Sequence, residues 1–188
     1  MTDERVERLF TNRKEEGFDS ICYSKQIILE DLYKDKDIFE ILHNTELEKL
    51  NATPEDYHNV NIYSYLKIPD AQSTVKNFIC FEVNDLEVTY SNKVMVTKQV
   101  IFRTVSHKDD VETIWGVDRQ DLLAAIIKER FQWSNILGTQ LVKTYDSGKV
   151  AENGYYYRNV YFQQITPNDL QSRLSSNRLD KLGREYYG

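Results

Sequence analysis

Between Asn77 and Gln164 this chain reads strand, strand, helix, hairpin, with almost no sequence left over for connections. In the first strand Phe78, Cys80 and Glu82 alternate with Ile79, Phe81 and Val83. Both faces are largely apolar, which predicts an interior strand from Asn77 to Val83. Asp85 to Asn92 brings the chain round to a second strand, Lys93 to His107. There Val94, Val96, Val100, Phe102 and Thr104 share one face and Met95, Thr97, Gln99, Ile101, Arg103 and Val105 the other, with Lys98 interrupting the apolar series. A strand of about fourteen residues exceeds the usual five or six, so part of it is expected to project past the domain. Asp118 is the expected cap of a helix running to Phe131, and Asp121 supplies a second carboxylate to its positive end. Leu122, Leu123, Ile126, Ile127 and Phe131 make the stripe that covers one sheet face. Two further strands are expected, Leu137 to Tyr145 and Tyr155 to Ile165. Asp146-Ser147-Gly148 and Asn153-Gly154 are read as turns between them. The fold class is α+β: a mainly antiparallel β-sheet flanked by helices.

Around this core the chain divides into three. Residues 1–34 read as an N-terminal helical extension, 35–166 as the α+β core domain, and 167–188 as a C-terminal arm. The extension holds two helical patterns, Thr2 to Glu16 and Ser24 to Tyr33. Asp35 or Asp37 then caps a short helix carrying Ile38, Phe39, Ile41 and Leu42 on one face. Signals weaken from Asn44 to Asp70, where only a turn at Thr53-Pro54 and an apolar patch (Ile62, Tyr63, Tyr65, Leu66, Ile68) stand out. The arm has leucines spread among polar residues, and Ser175-Ser176-Asn177 is a poor helix interior.

Composition removes several functional classes. With 24 basic against 30 acidic residues the net charge is −6, which argues against broad phosphate-backbone binding. Seven glycines, none spaced as in phosphate-cradling loops, leave no nucleotide fingerprint. Cys22 and Cys80 sit among apolar neighbours and are expected as buried thiols of a reducing compartment. The N-terminus is charged from its start and no apolar run approaches the roughly 20 residues of a membrane span, so synthesis in a cytoplasm and no membrane contact are expected. One place gathers His with carboxylates: His107 beside Asp109, Asp110 and Glu112 could form a small metal-dependent enzyme's site. Strand alternation points neighbouring side chains apart, however, and a solvated polar loop is the simpler reading. Arg119 and Asp121 are explained by an ion pair and the helix terminus without chemistry. No catalytic, cofactor-binding or metal residue is assigned, no cofactor is expected, and the chain is read as a non-enzyme.

The stretch from about Ile38 to Thr166 resembles the neck proteins of long-tailed bacteriophages, particularly tail-terminator or tail-completion proteins. Val100 to His107, the following Asp109-Asp110-Val111-Glu112-Thr113, Gly116 to Leu123 leading into the apolar helix, and the Tyr-rich strand ending in Phe162 carry the likeness. It implies an antiparallel sheet flanked by helices and assembly as a hexameric ring between head and tail. It further implies a structural virion protein that ends tail-tube growth and docks on the head-side connector; a head-closure or other connector subunit of the same neck is the near alternative. The implied partners are further copies of itself, the tail-tube protein and the head-side connector. DNA would pass through the ring without base recognition. Such a subunit works through its surfaces, and its candidate contacts are Lys98, Arg103, Arg119, Asp121, Tyr145, Asp146, Lys149, Tyr155, Tyr157, Arg173 and Arg178.

Overall fold

A computed structural model describes residues 20–68, 76–88, 95–150 and 154–167. Helix α1 spans Ser20–Leu32 and α2 Lys36–Leu42. Asp35 caps α2 by accepting the Asp37 amide at 3.2 Å, and His43 ends it in the left-handed region at φ 51°. The weakly patterned stretch that follows is structured. A five-residue helix α3, Thr45–Lys49, is capped by the Asn44 side chain. A 3-10 turn over Pro54–Tyr57 closes with a capping box between Thr53 and Asp56, and β1 is Ile62–Tyr63. Strands β2 (Asn77–Val88) and β3 (Met95–His107) precede helix α4 (Arg119–Phe131), and β4 (Val142–Val150) and β5 (Tyr155–Pro167) complete the order. The expected helix over Thr2 to Glu16 and the arm beyond Pro167 lie outside the described residues.

The five strands form one sheet in the order β1-β2-β3-β5-β4, antiparallel throughout except for the short β1–β2 pair. The α+β reading therefore holds. β2 runs five residues past Val83, because Asn84 and Asp85 stay paired with Gln99 and Lys98 before the ladder shifts. The larger correction concerns β4. Leu137 is not in a strand, and Asp146-Ser147-Gly148 is no turn: these residues pair with Val160, Asn159 and Arg158. Gly148 keeps a negative φ, so nothing in its backbone demands glycine. Cross-strand pairing with the long β5 outweighs the local turn propensity.

One sheet face carries the core. Phe81 and Val83 from β2, Val100 and Phe102 from β3, and Val160 and Phe162 from β5 meet Leu123, Ala124, Ile127 and Phe131 of α4. Helices α1 and α2 add Ile28, Leu32, Ile38, Ile41 and Leu42 to the same cluster. Phe102 sits among Phe81, Phe131 and Phe162 at ring separations of 5.8, 4.7 and 5.9 Å. The opposite face has a smaller cluster at one end, Tyr63, Phe78, Cys80, Val105 and Tyr155. Lys67 lies over the Tyr63 ring there, 4.1 Å from its centre. No disulfide joins Cys22 and Cys80. Burial pushes the Cys80 thiol up to about 11, against the pull of the Lys67 carbonyl contact and nearby cations, whereas Cys22 is only half-buried. No described helix is long and apolar enough to cross a membrane.

Candidate functional site

Among the described residues, two regions concentrate polar side chains. The first is built where four elements end or begin: the α2 terminus, the start of β2, the 3-10 turn Lys108–Asp110, and the first residue of α4. Asp110 is its centre. One carboxylate oxygen lies 3.0 Å from His43 Nδ1 and accepts from Asn77 Nδ2 at 2.7 Å; the other accepts from Arg119 Nη2 at 3.1 Å. Arg119 also donates to the backbone carbonyls of Asp110 and Ile41 at 2.9 and 2.8 Å. Burial alone would raise the Asp110 carboxyl, but the hydrogen bonds from His43 and Asn77 and the Arg119 charge outweigh it and hold the group below the usual carboxylate range. Asn77, Asn61 and Asn44 continue the network, with Asn61 Nδ2 donating to the Asn77 carbonyl at 2.7 Å and Asn44 Nδ2 to Asn61 Oδ1 at 2.6 Å. A cavity of about 470 Å³ opens beside it, with Leu47, Leu50 and Val60 as apolar wall.

This geometry dissolves the His107-based metal site. Asp110 turns toward His43 and Arg119, whereas His107 Nδ1 lies 3.2 Å from Asp109 and its ring packs on Tyr155 at 4.8 Å. Among the described residues no group of three or more His, Cys, Asp or Glu could hold a metal ion. The Asp110 network ties elements together.

The second region is the β4–β5 half of the sheet. On the helix side, Asp146 accepts from Arg158 Nε at 2.6 Å and Lys128 Nζ at 2.9 Å, and Arg158 also reaches Asp121 at 2.9 Å. Burial acts to raise the Asp146 carboxyl, but the Arg158 and Lys128 hydrogen bonds prevail and lower it. Hydrogen bonds to Asp146 and Asp121 in turn raise Arg158. On the other side, Arg103 donates to Asn159 Oδ1 at 2.8 Å and lies 4.8 Å from the Tyr157 ring centre. Tyr145 meets Tyr161 edge-on at 5.4 Å. Register places Arg103, Asn159 and Ser147 in one row and Ile101, Tyr161 and Tyr145 in the next. No described helix lies over these rows.

The eleven contact candidates therefore divide. Arg103, Tyr145, Lys149 and Tyr157 share the open sheet side, Tyr145 being 55% exposed. Lys98, Arg119 and Tyr155 are corrected: each is buried inside the described structure and not presented at its surface. Lys98 is 2% exposed because the even face on which it lies is the core face, with Ser24 and Asp85 within 3.5 and 3.7 Å of its Nζ. Asp121 and Asp146 are half-buried and committed to Arg158. Asp121 thus serves a cross-element ion pair more than a cap, and Asp118 makes no side-chain cap bond. Arg173 and Arg178 lie outside the described residues.

Sequence reasoning passed over two features. His43 stands alone in the sequence, and its pairing with Asp110 spans 67 residues, so no local signal announces it. Ile114 and Trp115 did carry a signal, a bulky apolar pair just before Gly116 in an otherwise polar loop.

Comparison with known proteins gives a family model described as YomW, which matches residues 35–164, more than half of the chain. No curated protein matches it.

Proposed function

Because this chain belongs to the YomW family, a phage-type family of Bacillus prophage proteins, we propose that it is a structural protein of the phage neck. It assembles as a ring, a hexamer, that ends the tail tube and joins it to the head-side connector. The observation carrying this reading is the open side of the sheet. Arg103, Tyr145, Tyr157 and Tyr161 are held there by each other and by Asn159, next to β4, an edge strand with no described strand outside it. Tyr and Arg are the side chains enriched in protein interfaces, and an open edge accepts backbone pairing from a neighbour. A head-tail contact between two different patches closes into a ring when its rotation closes. The chain acts through these surfaces and not as an enzyme. It is made in the host cytoplasm and carried in the virion.

Proteomics of purified virions is the decisive experiment: the reading requires this polypeptide in the particle, and its absence from particles that infect normally would end it. A deletion strain separates the two neck positions. A terminator deletion gives tails of uncontrolled length, whereas loss of a head-closure subunit gives normal tails beside heads that do not retain DNA.

A further inference from the structure

We propose that the loop Thr113–Val117 is a docking knob for a second copy of this chain, its receptor being the cavity beside Asp110 on that copy. The loop is apolar where loops are ordinarily polar: Ile114 is 91% exposed and Trp115 57%. It is also held in one shape. Gly116 N donates to the Thr113 carbonyl at 3.0 Å, Thr113 N to the Val117 carbonyl at 3.2 Å, and the Thr113 hydroxyl to that same carbonyl at 2.7 Å. Gly116 takes φ +70°, and Glu112 bridges to Asp118 across the stem. An exposed Trp on a preformed loop loses little entropy on binding and offers a large anchor.

The cavity supplies what such an anchor needs. Leu47, Leu50 and Val60 form an apolar wall, Leu50 being 75% exposed, and the exposed Glu46 carboxylate in the lining can accept an indole N–H. The stem is acidic, with exposed Glu112 and Asp118, and Lys76 on the cavity rim is exposed and basic. Knob and cavity are also neighbours. Asp110 lines the cavity three residues before the loop, whose stem is closed by Arg119 N donating to the Val111 carbonyl at 2.7 Å. Two complementary patches side by side suit a two-fold contact, in which each knob enters the other copy's cavity. This contact is separate from the head-to-tail contact of a ring and does not rest on it.

The test uses the full chain. Of its two tryptophans, Trp133 is replaced by Phe so that Trp115 alone reports. Sedimentation velocity over a wide concentration range should show a dimer, with Trp115 emission moving to the blue as it forms. Trp115→Ala and Leu50→Asp, both at exposed positions, should each weaken dimerisation at least about tenfold while leaving the far-ultraviolet spectrum and Tm unchanged. Lys76→Glu should weaken it, and adding Glu112→Lys should restore it. The proposal is overturned if Trp115→Ala associates as the parent does, or if Trp115 emission stays that of a solvated indole at every concentration. A ring-sized species untouched by Trp115→Ala overturns it while leaving the neck reading intact; a dimer lost with Trp115, with no ring and no presence in virions, supports it while the neck reading fails.

Discussion

Asp110 shows how one carboxylate can hold a fold together. It binds side chains from the residue that caps α2, from β2 and from α4, and the Arg119 opposite it is buried with its other donors on backbone carbonyls. Asp110→Asn leaves that guanidinium without its counter-charge, and removing one partner of a buried pair costs several kcal/mol. We expect a loss of about 3 kcal/mol in chemical denaturation, the lower part of that range because the carboxylate keeps some solvent contact. The pH dependence follows from the same environment. The Asp110 and Asp146 carboxyls titrate lower in the folded chain than in the unfolded one, where Asp lies at about 3.9. In the acid window the unfolded chain therefore binds more protons, so stability rises with pH. The contribution is complete above the unfolded value and is lost as pH falls through the lower folded values. Tm measured against pH should drop on the acid side, and Asp146→Asn should flatten that drop by removing one of the two groups. His43 escaped detection in the sequence because the partner that gives it meaning lies 67 residues away.

Elements differed in how far they could be read. The alternation in β2 and β3 and the stripe of α4 were legible because each follows a single burial period. Phe102 lies where those periods meet, and Phe102→Ala should cost about 3–5 kcal/mol by denaturant titration, the range for emptying an aromatic site in a core. β4 was displaced by about five residues because Asp146, Ser147 and Gly148 favour turns locally while β5 pairs with all three. That account has its own test. At Gly148 an added Cβ meets no heavy atom within 4 Å. Gly148→Ala should then stabilise by about 0.5–1 kcal/mol, through the reduced freedom of the unfolded chain. A hairpin turn at this position, with a left-handed glycine, would instead lose stability. At Gly154 the backbone does stand at φ +77°, and a Cβ would meet the Lys108 side chain at 2.9 Å. Gly154→Ala is therefore expected to destabilise, by about 1–2 kcal/mol.

For the whole molecule, residues 168–188 have leucines spread among polar side chains and so carry little apolar surface of their own. Deleting residues 168–188 should leave the thermal transition of the core in place while impairing assembly, read by light scattering and negative-stain imaging with the proposed partners. A loss of several kcal/mol, the scale of a core cavity, would show that the segment belongs to the core instead. Residue periodicity by itself determined the fold class, the strands β2, β3 and β5, and the helix α4, because burial of one face imposes a period that any reader of the chain can see. Tertiary structure alone decided that Lys98, Arg119 and Tyr155 turn inward, that Asp146 is strand and not turn, and that Asp110 faces His43 and not His107. Those outcomes depend on partners far along the chain, whose approach is set by packing and leaves no local mark.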